Sequence, residues 1–169
     1  VLILLGFGTL AMHGSLTAEG GLLDGSSMYI WVSFCACYSF VKIVRCGPIL
    51  FLTAYTTLSA FLVLSRVWEL LPVHITFGTV ILISVVLEVA YKYMNRKQAR
   101  FENRWVIYTA ISFCAAYGIW NLSLAGRPFY YPDSIYQGHA VWHVLCAVAT
   151  WTIYRYYHSE CQTKIIQDS

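Results

Sequence analysis

The chain has 169 residues, of which 59% are hydrophobic and 11% charged, with a mean hydropathy of +0.61. Water-soluble domains carry roughly 25% charged residues, so this composition excludes an ordinary soluble globule and points to a membrane protein; the 13 Tyr, 9 Phe and 6 Trp fit that class, because amphipathic aromatics gather at bilayer interfaces. The formal net charge of +3 is small and no basic stripe lies on a soluble element, which argues against a nucleic-acid partner.

Six apolar segments follow one another, and the first, 1–17, is already apolar at Val1. It shows neither a basic leader region nor a small-residue cleavage site, so it reads as a span cut inside a longer, N-terminally truncated protein. The short polar break EGGLLDGSS follows, and a loop is expected over 18–26. Segments 27–44, 48–66, 73–94 and 105–124 come next, divided by RCGP, RVWELLP and NRKQARFENR. After GRPFYYPDSIY the last segment runs over 137–157. Most are near the roughly 20 residues that cross a hydrocarbon core as helix, and lipid leaves no unpaired backbone group a partner, so helices are the default. The expected fold is all-α: a polytopic transmembrane bundle of six helices in one domain, 1–169. Cys35, Cys37, Cys114 and Cys146 fall inside apolar runs and read as small buried hydrophobes.

Lysine and arginine set the orientation. With alternating segments, Lys42, Arg45, Lys92, Arg96, Lys97, Arg100, Arg104, Arg155 and Lys164 share one side, and only Arg66 and Arg127 share the other. Positive charge collects on the cytoplasmic side, so the C-terminus is expected there. The loops 18–26 and 125–136 then face the periplasm or a lumen. Glu88 and Lys92 stand at i,i+4 spacing that suits an ion pair.

Four polar residues resist explanation by composition. His139 and His143 stand one helical turn apart just inside the last segment, His143 roughly 10 Å below its boundary at about 1.5 Å per residue. His13 lies near the outward end of the first segment, and Asp24 ends the outward loop. Alternating topology puts all four on one side. Three histidines and a carboxylate suit a zinc ion with three protein ligands, an open position and an acid/base group beside it. Zinc in such a site lowers the pKa of water from roughly 15.7 to about 7 and polarises a carbonyl, and Asp24 is placed to pass a proton to a leaving amine. Each residue also has a plainer reading. A single intramembrane histidine makes interhelical hydrogen bonds, Asp24 suits a solvated loop or a helix cap, and Thr9 suits helix packing. His74 reads as interfacial and His158 as cytoplasmic surface. Ionisable groups inside spans are functional by default, which favours the site.

At these residues the chain resembles the alkaline ceramidase family, within the wider group of seven-helix membrane hydrolases related to adiponectin-receptor-like proteins. GFGTLAMHGSLTAEGGLLDGSSM supplies Thr9, His13, Leu16-Thr17, Leu23-Asp24 and Met28 of the first signature, and QGHAVWH supplies the closing histidine pair around Trp142. The run from Pro132 to Glu160 looks most like prokaryotic members. The resemblance implies helices two to seven of a seven-helix fold. It implies His13, His139 and His143 as zinc ligands, Asp24 as the catalytic acid/base, and Thr9 in place of the family's serine. The expected activity is zinc-dependent cleavage of the amide bond of ceramide or a related N-acyl membrane lipid to a fatty acid and a long-chain base. The family's calcium site belongs to an N-terminal segment outside this chain. Two other classes stand beside this one: a receptor-like bundle with a structural zinc, and an electron-transfer bundle with axial histidines on haem.

Overall fold

The computed structural model describes residues 1–15, 17–96, 102–129 and 138–168; the side chains of His74, His139 and residues 161–168 lie outside that description. The described residues form six α-helices and no strand: α1 (Leu2–Ser15), α2 (Ala18–Val44), α3 (Pro48–Val67), α4 (Val73–Met94), α5 (Asn103–Leu122) and α6 (Gly138–Asp168). Among them α2, α3, α4 (over Ile75–Met94) and α5 are long and apolar enough to cross a membrane. Helix α1 is shorter, at 14 residues. Helix α6 is long, but His139, His143 and Arg155 lower the hydropathy of its apolar stretch.

The chain divides into two compact units, 1–95 and 96–169. In the first, α2 is the hub on which α1, α3 and α4 all pack. Its sequence explains that role, since Gly20, Asp24, Ser27, Ser33, Cys35, Ala36, Cys37 and Ser39 are all buried and all small. Small side chains let helix backbones approach where no hydrophobic force drives association. The contacts also give the directions. Phe34 of α2 meets Phe51 and Tyr55 of α3 edge-on across the short Arg45–Gly47 turn, so α2 and α3 run antiparallel. Tyr29 reaches Val73 and Phe77, whereas Ser39 and Lys42 reach Glu88, so α2 and α4 run parallel. Tyr29, Val32, Ala36, Leu62 and Val80 form the shared core. Ile49, Leu52 and Phe61 on α3, and Leu82, Val85, Val86 and Val89 on α4, face outward, as a lipid solvent requires.

The second unit pairs α5 with α6. Thr109 and Thr152 meet hydroxyl to hydroxyl at 2.8 Å, and Trp105 packs edge-on against Trp151. Arg155 lies over the Trp105 ring at 4.6 Å from its centre. Just before α5, Glu102 accepts from Arg104 and from the Trp105 indole; the Arg104 bond first, then the Trp105 bond, holds this exposed carboxyl below the usual glutamate range.

Two sequence expectations change. The predicted loop over 18–26 is instead the first two turns of α2. Thr17 caps that helix, its hydroxyl accepting from the Gly20 amide at 3.1 Å, and Gly20 serves a helix crossing rather than a turn. A Cβ there would lie 2.7 Å from the Ala11 carbonyl oxygen of α1. Cys114, expected to be buried, is exposed on α5, whereas Cys35 and Cys37 are buried as expected. Glu88 finds long-range partners on α2: Lys42 at 2.8 Å and the Ser39 hydroxyl at 2.7 Å.

Candidate functional site

Helix α1 lies antiparallel against the first turns of α2, and two glycines permit the approach. A Cβ at Gly8 would stand 2.6 Å from Ser27 Oγ and 2.9 Å from the Leu23 carbonyl oxygen; Gly20 plays the same part against Ala11 and Met12. Between these crossings Thr9 Oγ1 donates to Asp24 Oδ1 at 2.8 Å. Asp24 is therefore not a loop residue, as the sequence predicted, but a helical one, only 7% exposed. One turn below it, Ser27 donates to the Asp24 carbonyl oxygen at 2.7 Å, which commits that hydroxyl to the backbone and leaves Thr9 to the carboxylate.

His13 stands in the last turn of α1, exposed, four residues after Thr9 and so on the same helical face. Thr9, His13 and Asp24 thus belong to one end of the first unit. His139 and His143 belong to the second unit, one turn apart near the start of α6. The side chain of His139 lies outside the described residues. That of His143 is half-buried, its ring centre 4.3 Å from that of Trp142 in an edge-to-face arrangement. Among the described residues no three His, Cys, Asp or Glu side chains form a group able to hold a metal. The donor set named from sequence, three imidazoles and a carboxylate in hydrogen-bond contact with a hydroxyl, is chemically suited to zinc. His158 is exposed beside Tyr154, a surface position as expected.

One residue was not singled out by the sequence. Arg66, in the last turn of α3, lies against the same turn of α2: its Nε would be 3.4 Å from a Cβ at Gly25, the residue after Asp24. That Nε is buried and has no hydrogen-bond partner among the described residues. A lone arginine next to a span end ordinarily reads as an interfacial anchor, and only the three-dimensional contact separates it from one.

Fold and site together define a class: an all-helical, multi-pass membrane protein with a buried hydroxyl–carboxylate pair where two helices cross. Comparison with protein-family models, with curated proteins and with solved structures gave no match for the chain.

Proposed function

We propose that this protein is a zinc-dependent hydrolase of the membrane that cleaves the amide bond of ceramide or a related N-acyl lipid. The observation that carries the reading is the Thr9–Asp24 hydrogen bond, at 2.8 Å, on a carboxylate that is almost wholly buried. A buried carboxylate inside a helical membrane unit is costly unless it has a task or a partner. Here one hydroxyl donor orients it and leaves its second oxygen for a proton in transit.

His13, His139 and His143 would hold the metal, each through an imidazole nitrogen. Zinc bound there would supply Lewis acidity toward an amide carbonyl and toward water. The protein's own groups do the rest. Asp24 accepts the proton of the attacking water and returns it to the departing amine. Thr9 holds the Asp24 carboxylate in one orientation through that exchange, so the carboxylate need not reorganise during the reaction.

Orientation fits the same reading. Lys42, Arg45 and Lys92 gather at one end of the first unit, where Lys42 meets Glu88 and Arg45 meets Asn95. Thr9, Asp24 and Arg66 lie at the other. The positive-inside rule supports a cytoplasmic basic end for this unit, with Asp24 toward the periplasm or a lumen.

The test is zinc content per chain of the full-length protein, purified in detergent without chelators, beside His143→Ala, followed by amide hydrolysis with Asp24→Asn as control. The expected results are about one zinc per chain that is lost in His143→Ala, and turnover that is lost in Asp24→Asn with zinc retained. Zinc without amide cleavage would assign the metal a structural role in a receptor-like bundle. No zinc in the wild type would remove the mechanism.

A further inference from the structure

The Arg66 guanidinium is the charge that the mechanism leaves unused. Arg66 is half-buried, and a guanidinium drawn partly out of water is costly without a partner. Its Nε is sealed from solvent and unbonded. Neither Asp24, beside Gly25, nor Glu69, three residues along the chain, forms an ion pair with it among the described residues. One turn along α2 from Gly25, the Tyr29 hydroxyl donates to the Val73 carbonyl oxygen at 3.4 Å, so Arg66 stands near the place where α2 and α3 meet the start of α4.

Depth bears on which anion a guanidinium at this position would meet. Helices α2 and α3 form a hairpin around the turn at 45–47. At about 1.5 Å of rise per residue, the helix climbs roughly 30 Å from Gly25 to Arg45 and roughly 30 Å again from Gly47 to Arg66, which matches the thickness of a hydrocarbon core. With the basic turn at one interface, the Gly25–Arg66 contact falls at the other, level with the lipid headgroups. The 27 residues of α2, about 40 Å of helix, exceed one span by the two turns that precede Gly25. At that depth the abundant anion is phosphate, and the guanidinium fork matches its oxygens.

We propose that Arg66 binds the phosphate of a phosphorylated N-acyl lipid, placing that lipid's amide beside Asp24. This rests on the amide-hydrolase reading for the lipid class, whereas the phosphate site stands on Arg66 alone. The preferred substrate is then a ceramide-like lipid with an anionic headgroup rather than its neutral counterpart.

The experiment measures binding rather than turnover. Full-length protein in a phosphate-free maltoside detergent is titrated with ceramide 1-phosphate and with ceramide, and the complexes are counted by native mass spectrometry. The wild type should bind the phosphorylated lipid about tenfold more tightly, the contribution of one charge-assisted hydrogen bond. Arg66→Gln should bring the two lipids within about twofold, Arg66→Lys should keep part of the difference, and Arg127→Gln, at the exposed 123–129 turn, should keep all of it. Equal binding of both lipids by the wild type overturns the proposal whatever the variants do. So does a preference that survives in Arg66→Gln. Displacement of the lipid by millimolar inorganic phosphate would assign the site to free phosphate and overturn the lipid assignment. The two readings fail separately: a protein that cleaves ceramide without phosphate preference loses only the Arg66 site. One that binds ceramide 1-phosphate through Arg66 yet cleaves no amide loses only the hydrolase.

Discussion

Replacing Thr9 by Val removes one hydroxyl and keeps the shape. In the folded protein that hydroxyl is the donor to Asp24 Oδ1, at 2.8 Å, and Asp24 is 7% exposed. Val restores the volume, so no cavity is made and the cost is electrostatic. A hydrogen bond to a charged group contributes about 1.5–3 kcal/mol, and stranding its buried partner adds desolvation that no water offsets. The expected loss is therefore about 2–3 kcal/mol in unfolding from mixed micelles titrated with a denaturing detergent. Thr9→Ser, which keeps the donor and loses a methyl, should cost about 1 kcal/mol or less, near the contribution of one buried methyl group.

The double-mutant cycle isolates the pair. With Asp24→Ala as the second change, the coupling between positions 9 and 24 should be about 1.5–3 kcal/mol, because each single change strands or removes the other's partner. A Thr9→Val protein within about 0.5 kcal/mol of wild type, with additive effects in the double variant, would refute the claim that this hydroxyl holds the carboxylate. The same variants connect stability to chemistry. If Thr9 orients the proton carrier, Thr9→Val should lower kcat far more than it raises KM, since the hydroxyl touches the carboxylate rather than the lipid.

The α1–α2 crossing should be intolerant at Gly8 and tolerant nearby. Gly8→Ala puts a Cβ 2.9 Å from the Leu23 carbonyl oxygen, which is backbone and cannot turn aside, so a loss of about 1–3 kcal/mol is expected. Gly21→Ala meets nothing within 4 Å and should be neutral or gain up to about 1 kcal/mol of helix propensity in the same unfolding assay. At the opposite end of the unit, Glu88→Gln leaves Lys42, whose side chain is 9% exposed, without its counter-charge. The expected loss is about 3–5 kcal/mol, and the double change Lys42→Met with Glu88→Leu should recover most of it; failure to recover would show that the charge itself, not its burial, is what the fold needs.

How much of this was legible in the sequence differs by kind of contact. Segments near 48–66, 73–94 and 105–124 could be read to within about two residues of their helices, because hydropathy and the prolines at 48 and 72 report the ends of spans directly. The start of α2 could not. Gly20, Gly21 and the Asp24-Gly25 step carry the composition of a turn, yet in a membrane bundle glycine also marks the place where a neighbouring backbone passes, and the two uses look alike along one chain. Thr9 and Asp24 were legible as chemistry, and their contact explains the helix that their neighbours obscured: α1 must run over the first turns of α2 for the hydroxyl to reach the carboxylate.

Glu88 and Arg66 show the other limit. Lys92 is visible as a partner for Glu88 from i,i+4 spacing, but Lys42 is 46 residues away and becomes a neighbour only because α2 and α4 run parallel. The Arg66 Nε packs against Gly25 only because α2 and α3 run antiparallel. One arrangement of three helices therefore neutralises the cation at one end of the unit and leaves, among the described residues, a cation unpaired at the other. If the fold merely needed its charges satisfied, both ends would be built alike. Lys42 has a carboxylate, a hydroxyl near that carboxylate and the Tyr91 ring, 4.3 Å from its Nζ to the ring centre. Arg66 has Gly25 against its Nε and no counter-charge among the described residues, beside the carboxylate that Thr9 already holds. That asymmetry is what a ligand-binding end and a structural end of the same unit should look like.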